Sequence, residues 1–360
     1  MNDREKNGLR GQVASVRSEF FSCDPRTGEV SSRLNATIKT YDRDGRITSV
    51  VAENPNGSVS TSTYTYSGDG PLTEIKSELD GILTWNAISQ YDSDGKLVRT
   101  DQTQSGIKWQ ASSCTYDDAG NKTEVQFPLP GLVLAEMMNF ARKVQQESGA
   151  PAREVGSDIS LTATTTTRYD AAGNPLEQLR HNENQELIGR TTYTYDDQAR
   201  PVEKREEIGR YFSLDSVFND PAIEPLQREV LQKAVERLFD PAGGSFRTSY
   251  TYDSQGRKIE EVIHQGPFGF SRQTFEYDEY GNVTSTHNLS ENREFEAAPD
   301  GRFSAPSPAR QQRSANHFHY THDSHGNWTQ KQLTTTPDDN GQPQHAGVER
   351  RIITYHSSEV

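Results

Sequence analysis

Hydrophobic and polar positions alternate with a period of two along most of this 360-residue chain. Aromatic residues stand two positions apart with threonine between them, as at Tyr64 and Tyr66. The segments that follow carry Thr, Val or Ile on alternate positions, as at Thr48 and Val50. A period of two predicts β-strands, and β-branched and aromatic residues favour them. The pattern therefore predicts a mainly β protein.

A short motif, Tyr-Asp-x-x-Gly, separates paired strands. The Asp carboxylate can accept from backbone amides that follow it, and Gly can adopt a positive φ, so the motif predicts a hairpin turn. The residues assigned this structural role are Tyr41, Asp42, Gly45, Tyr66, Gly70, Tyr91, Asp92, Gly95, Tyr116, Asp117, Gly120, Tyr169, Asp170, Gly173, Tyr195, Asp196, Tyr252, Asp253, Gly256, Tyr277, Asp278 and Gly281. Degenerate copies have Ala199 in the Gly position and His322 in the Tyr position, with Cys23-Asp24 and Tyr355 as terminal copies.

The spacing of the copies predicts the topology. Tyr41, Tyr66, Tyr91 and Tyr116 follow one another at intervals of 25 residues. Where the interval between two motifs is longer, the additional residues are inserted at the second turn of the unit. These insertions begin at Pro130, Gly209, Glu291 and Thr336. Because strands of a meander alternate in direction, all four insertions are predicted at one edge of the sheet and the Asp turns at the other.

Two of the insertions have helical periodicity. Residues 130–150 and 209–240 are predicted to be amphipathic helices, and residues 291–316, rich in Ala, Pro, Ser and Arg, a disordered loop. Apolar faces on inserted helices either pack against the sheet or bind a partner. The candidate partner-binding residues are Met137, Met138, Phe140, Leu226, Val230 and Leu231.

Nine copies predict roughly eighteen strands in one domain over residues 1–360. An open sheet of that size would be on the order of 85 Å wide, and twisted sheets of more than about ten strands curl. We therefore expect a long antiparallel meander of hairpin repeats, coiled into a spiral or partly closed shell.

The repeated Tyr-Asp-x-x-Gly-Asn/Arg units resemble the YD repeats of the Rhs family, which includes polymorphic toxins, Tc toxin shells and teneurins. The resemblance spans Tyr41 to Trp328. It implies β-hairpins wound into a shell, which in larger members encloses a C-terminal toxin. Within residues 1–360 neither a separate toxin domain nor the core cleavage motif is recognisable, so we expect a departure from the plan of the larger members.

Composition narrows the function classes. Leu, Ile, Val and Phe make up 66 of 360 residues, about 18%, below the roughly 20% that separates ordinary globular chains from disordered ones. The repeat accounts for this low apolar content, because each unit of a repeat fold is stabilised by its contacts with the neighbouring units. A net charge of -14 argues against nucleic acid as the partner. No apolar run is long enough for a membrane span. The absence of a signal peptide predicts a cytoplasmic protein, with non-classical export as the alternative.

Candidate chemistry is sparse. His317 and His319 share one face of a strand and form a weak candidate metal site, weighed against solvated strand histidines. No cofactor is predicted, and neither a nucleophile motif nor a phosphate-binding loop occurs, so we expect a protein that is not an enzyme. The leading hypothesis is a scaffold for a protein partner, such as a toxin or secretion component in an Rhs-type system. The alternatives are a carbohydrate-binding protein that uses its aromatic residues and a shell fragment that encloses a polypeptide.

Overall fold

The computed structural model describes residues 2–133, 163–208, 245–265, 269–292, 310–337 and 341–357. These ranges form a short helix, α1, and twenty antiparallel strands, which confirms the mainly β prediction. The bounds are α1 (Asp3–Lys6), β1 (Val13–Cys23), β2 (Val30–Tyr41), β3 (Ile47–Glu53), β4 (Val59–Tyr66), β5 (Leu72–Leu79), β6 (Ile82–Tyr91), β7 (Leu97–Gln104), β8 (Ile107–Tyr116), β9 (Lys122–Gln126), β10 (Ala163–Tyr169), β11 (Pro175–His181), β12 (Leu187–Tyr195), β13 (Pro201–Ile208), β14 (Ser245–Tyr252), β15 (Lys258–Gln265), β16 (Gly269–Tyr277), β17 (Val283–Asn292), β18 (Arg310–His322), β19 (Trp328–Pro337) and β20 (Gln344–Tyr355).

The sheet closes on itself. Every strand pairs with its neighbours in the chain, and β1 pairs with both β2 and β20, so that Val16 lies between Lys39 and Ile353. The expected spiral or partly closed shell is therefore corrected to a closed sheet. Closure removes the two edges of an open meander, whose unpaired backbone groups would otherwise invite pairing with other chains.

The alternation of strand direction creates two different edges. The turns from even to odd strands, such as residues 42–46 and 117–121, lie at one edge, which we call the turn rim. The links from odd to even strands start and end at the opposite edge, which we call the connection rim. The turn at Asp24 joins β1 to β2 and so lies at the connection rim, which means that Cys23-Asp24 is not a terminal copy of the motif.

The predicted insertions are only partly covered by the described residues. Residues 291–292 end β17, and residues 310–316 begin β18, with Asn292 opposite Arg310, so the ends of the expected loop over 291–316 are paired strand instead. Residues 131–133 are helical. The rest of the first predicted helix, the second predicted helix over 209–240, and residues 293–309 lie outside the described residues.

One face of the sheet is the more shielded all the way round. In β6, Ala87 and Tyr91 are shielded on the Tyr-bearing face, whereas Ile88 and Gln90 on the other face are exposed. The register carries the Tyr-bearing face from strand to strand without a change of side, apart from local bulges. Since the concave side of a closed sheet crowds its side chains together, we assign the Tyr-bearing face to the interior.

The main apolar cluster lies where the two ends of the chain meet. Leu9, Val13, Val16 and Tyr41 are buried against one another, and Ile47, Ile353 and Tyr355 pack around them. The cluster spans the seam formed by β1, β2 and β20. Within the described residues, no helix is long and apolar enough to cross a membrane.

Residues that precede β1 fasten this seam to the turn rim. Asn2 caps α1 through a capping box, and its side-chain amide donates to the Asp44 carbonyl at 2.8 Å. Arg10 donates its backbone N–H to Asn327 Oδ1 at 2.6 Å and a guanidinium N–H to the Tyr280 carbonyl at 2.9 Å. The segment thereby joins the first turn of the meander to the last ones.

Candidate functional site

Each Asp of the turn rim closes its own turn. In the turn at Asp117, carboxylate Oδ1 accepts from the backbone N–H of Ala119 at 3.0 Å and of Asn121 at 2.8 Å. The Gly120 N–H donates to the Asp117 carbonyl at 2.9 Å. The same arrangement of carboxylate and backbone amides recurs at Asp170, Asp196, Asp253, Asp278 and Asp323.

The residue after Gly is a functional part of the turn that sequence reasoning missed. Asn121 Nδ2 donates to Asp117 Oδ2 at 2.8 Å, and Arg200 Nε donates to Asp196 Oδ2 at 2.7 Å. These side-chain hydrogen bonds are the largest cause of the lowered pKa of Asp117 and Asp196. The signal was present in the sequence, because most copies carry Asn or Arg directly after Gly.

The Gly position requires a left-handed backbone. Gly120 and Gly173 have φ of 82° and 85°, a region that costs little only for residues without a Cβ. Ala199 holds the same position at φ 58°. Gly70 differs, because the positive φ of that turn belongs to Gly68 at 53° instead.

Six of the repeat Tyr hydroxyls tie their hairpin to the one before it. Tyr91 donates to the Leu72 carbonyl at 2.7 Å, and each acceptor lies six residues after the preceding repeat Tyr. The other pairs are Tyr66 with Ile47, Tyr116 with Leu97, Tyr195 with Pro175, Tyr252 with Pro201 and Tyr277 with Lys258. Because this bond crosses between units, it stabilises the order of hairpins around the sheet.

The cation after Gly also covers the next Tyr ring. Arg46 lies over Tyr66 at 4.7 Å from the ring centroid, and Arg257 lies over Tyr277 at 4.8 Å. Such cation–π contacts contribute about 0.5–1 kcal/mol at exposed sites. The repeat Tyr, Asp and Arg side chains of the turn rim are thus engaged with one another in a structural role.

The copy with His322 in the Tyr position departs from this pattern of hydroxyl bonds. Tyr320, not His322, donates to the Val283 carbonyl, at 2.8 Å. His322 stacks on Tyr280 with ring centroids 4.4 Å apart, and its Nε2 lies 3.0 Å from Asn282 Nδ2. The hydroxyl of the ladder therefore comes from the aromatic residue two positions earlier in β18.

The candidate metal ligands lie on the outer face of β18. His317 makes an edge contact with His287 at 5.9 Å between ring centroids, and His319 is exposed. Within the described ranges, no group of three or more His, Cys, Asp or Glu side chains is arranged to hold a metal ion. The structure thus brings a second His to His317 but no third ligand.

The connection rim is irregular where the turn rim is regular. Some of its links are two-residue hairpins, as at Asp80-Gly81 and Ser105-Gly106, all four residues with positive φ. Others are much longer and join β9 to β10, β13 to β14 and β17 to β18. The link from β19 to β20 is of intermediate length and starts at the same rim.

Exposed apolar side chains concentrate at this connection rim. Ile82 is 72% exposed at the start of β6, and Leu132 is 71% exposed after β9. Six of the ten large apolar side chains that are exposed in the described residues lie at this rim, namely Leu79, Ile82, Leu83, Phe127, Leu132 and Leu187. Leu79, Ile82 and Leu83 are neighbours at one hairpin, and contiguous exposed apolar groups are typical of interaction sites.

The partner-binding candidates of the sequence fall in chain segments that join strands whose ends lie at this rim. Met137, Met138 and Phe140 fall in the link between β9 and β10, and Leu226, Val230 and Leu231 in the link between β13 and β14. All six lie outside the described residues, so their role stays a prediction. The connection rim is the candidate interaction site.

No known protein family and no curated protein matches the chain. Among solved structures, a porin-like protein from Bacteroides uniformis matches with 8% identity over 95% of this chain and 96% of that chain, at a TM-score of 0.27. The Photorhabdus luminescens Tc holotoxin pore matches with 12% identity over 86% of this chain, at a TM-score of 0.19. A TcdB2-TccC3 structure matches with 13% identity over 84%, at 0.18. This chain spans 19% of the length of each toxin chain. Such TM-scores assign neither fold nor function, so the resemblance to the Rhs family rests on the repeat residues alone.

Proposed function

We propose that this protein is a non-enzymatic scaffold that binds a protein partner at its connection rim. The observation that carries the proposal is the coincidence, at one rim, of the long links and of most exposed apolar side chains. Recognition usually resides on loops that a rigid framework positions. The closed sheet supplies such a framework.

The rigidity of the framework comes from its pairing. Every described strand is hydrogen-bonded on both sides, and the opposite rim is fastened by Asp turns and Tyr hydroxyls. Variation in the links at the connection rim therefore leaves the strand pairing unaffected. A partner with an apolar surface would cover side chains such as Ile82 and Leu132, which gain most from burial because they are the most exposed.

The resemblance to YD repeats suggests the class of partner. A toxin or a secretion component of an Rhs-type system is the partner that we propose, with this chain as an accessory protein. Carbohydrate binding is less favoured, because one of the three tryptophans, Trp328, carries Arg351 3.3 Å and Lys331 5.1 Å from its ring centroid. Those cations occupy ring surface on which a sugar would stack.

The test compares two exposed isoleucines. Ile82 lies at the connection rim, and Ile352, 58% exposed on the outer face of β20, is a matched control away from it. We expect Ile82→Ser to lower partner recovery from cells of the source organism by about tenfold, as for a hot-spot side chain, and Ile352→Ser to leave it unchanged. Deletion of residues 131–148 and 211–239 should abolish recovery from a folded protein. Equal recovery by all variants would refute the proposal.

A further inference from the structure

A small cavity lies inside the sheet at the seam. Its volume is about 160 Å³, and it is lined by β1, β2, β20 and the segment that follows α1. Leu9, Val16 and Phe20 form an apolar part of the wall, whereas Lys39 and Arg351 bring two cations to it. The cavity therefore exists only because the first and last strands pair.

The charges around this cavity are unbalanced. Lys331 Nζ lies 2.8 Å from Glu349 Oε2, and Arg351 Nε lies 3.6 Å from Glu349 Oε1. Lys39 Nζ donates to the neutral side chain of Asn7 at 2.7 Å. Glu349, which also lines the cavity, is therefore shared by Lys331 and Arg351, and its charge also acts on Lys39. Asp3, the other carboxylate that acts on Tyr41, already accepts from the Ile47 N–H and pairs with Lys6.

Two buried donors make no hydrogen bond, although Arg351 Nε keeps its longer ion pair with Glu349. Tyr41 is 2% exposed, and its hydroxyl makes no hydrogen bond; Arg351 Nε is buried and makes none either. The repeat hydroxyls of Tyr66 and Tyr91 donate to carbonyls of the preceding hairpin, so Tyr41 is an exception to its own ladder. Burial raises the pKa of Tyr41 to about 12, which keeps its hydroxyl protonated as a donor.

Buried donors without a hydrogen bond and excess positive charge both have a cost in free energy. Burial, reinforced by the charge of Arg351, lowers the pKa of Lys39, and burial lowers that of Arg351. An anion with several acceptor oxygens would satisfy the donors and the charges together. Charge-assisted hydrogen bonds of this type are the stronger ones.

We propose that the seam cavity binds a small oxyanion, a carboxylate or a phosphate, through the Tyr41 hydroxyl, Lys39 Nζ and Arg351 Nε. The ligand would contact β2 and β20 together, on either side of β1. Because it binds only the closed sheet, it stabilises closure by mass action. The site is independent of the connection rim and of the partner proposed there.

The test measures binding of inorganic phosphate and of acetate to the full chain by calorimetry. Thermal unfolding is followed in parallel, with chloride at equal ionic strength as the reference, since anions also act on stability through exclusion from the surface. We expect at least one oxyanion to raise Tm above the chloride reference. The two arms distinguish a phosphate site from a carboxylate site, and a response in either supports the proposal.

Variants assign the response to the cavity. We expect Lys39→Met and Tyr41→Phe each to weaken the apparent affinity by about tenfold, because each removes a hydrogen bond to a charged ligand. Lys108→Met, at an exposed lysine, and Tyr91→Phe, at a hydroxyl of the ladder, are the matched controls and should bind as the wild type does. If Lys39→Met fails to fold, Tyr41→Phe decides, since it keeps the ring. No gain over chloride, or an equal gain in Tyr41→Phe and wild type, would overturn the proposal.

Discussion

At both rims of this sheet the chain reverses direction between neighbouring strands, but the two rims do this in different ways. At the turn rim, Asp, Gly and Asn or Arg recur at fixed spacing, and their side chains bond to one another, as at Asp117 and Asn121. At the connection rim, links of two, five or six residues occur beside much longer ones, and Ile82 and Leu132 are left exposed. The regular rim secures the fold, and the other rim is the one at which we propose that a partner binds.

Acid should produce the largest difference between the rims, because it acts on many turns at once. Side-chain hydrogen bonds lower the pKa of Asp117, Asp170 and Asp196, so their contribution to stability is full above the unfolded value of about 4 and is lost as the pH falls through the folded pKa values. Urea unfolding from neutral pH down to about pH 3 should show a falling free energy of unfolding.

The fall in net negative charge on acidification should instead raise the free energy of unfolding. The chain carries a net charge of -14, and protonation reduces its self-repulsion on the way to the pI of about 5.2. A free energy of unfolding that stays constant or rises below about pH 4 would therefore contradict the role assigned to the turn carboxylates.

Removing one turn carboxylate should have the next largest effect. Asp42 Oδ1 accepts from the Arg46 N–H at 2.9 Å, and Oδ2 accepts from Arg46 Nε at 2.7 Å. We expect Asp42→Ala to lower the free energy of unfolding by about 2 kcal/mol. Asp44→Ala, at the 65% exposed neighbour in the same turn, is the control and should stay within about 0.5 kcal/mol. Equal losses in both variants would show that the carboxylate at the Asp position of the motif contributes no more to stability than its exposed neighbour does.

At the turn rim, one turn has Ala199 in place of Gly. There we expect a smaller effect, a gain in stability in place of a loss. Ala199 is held at φ 58°, where a Cβ is strained, so Ala199→Gly should stabilise the protein by about 0.5–1 kcal/mol despite the freer unfolded chain. Gly173→Ala is the mirror experiment, because its φ is 85° and nothing lies within 4 Å of an added Cβ. It should destabilise the protein by a similar amount. Thermal unfolding of both variants checks the signs, and matching signs would rule out backbone strain as the cause.

The smallest effect on stability is expected at the connection rim. Ile82 is 72% exposed, so Ile82→Ser should change the free energy of unfolding by no more than about 0.5 kcal/mol. The same variant is expected to have the large effect on partner recovery described above. A marked loss of stability would show that Ile82 packs within the fold, and the contrast between the rims would then fail.

Local chemistry was readable from the sequence because its partners are near in the chain. The strand period, the Asp turn and the positive φ of Gly involve residues within about four positions of one another. The position of the inserted links followed from counting. The Asn or Arg after Gly was equally visible, but its bond to Asp became apparent only with the carboxylate geometry at Asp117 and Asp196.

Other features had no local signal. Tyr320 replaces His322 in the hydroxyl ladder because of which side chain reaches the Val283 carbonyl of the neighbouring unit. The turn at Asp24 looked like a copy of the motif, yet strand order places it at the opposite rim. In both cases a short motif was ambiguous, and the neighbouring strand decided its role.

The sequence by itself determined most of the strands, the turns that join them and the edge at which the long links leave the sheet, because each depends on neighbours in the chain. Only the tertiary structure decided that the meander closes, since β1 pairs with β20 across more than 300 residues of sequence. Closure in turn assembled the apolar cluster of the seam and the cavity with Tyr41, Lys39 and Arg351. This pairing is favourable because it removes two sheet edges. The gain in free energy depends on the whole sheet, so no single segment of the sequence indicates it.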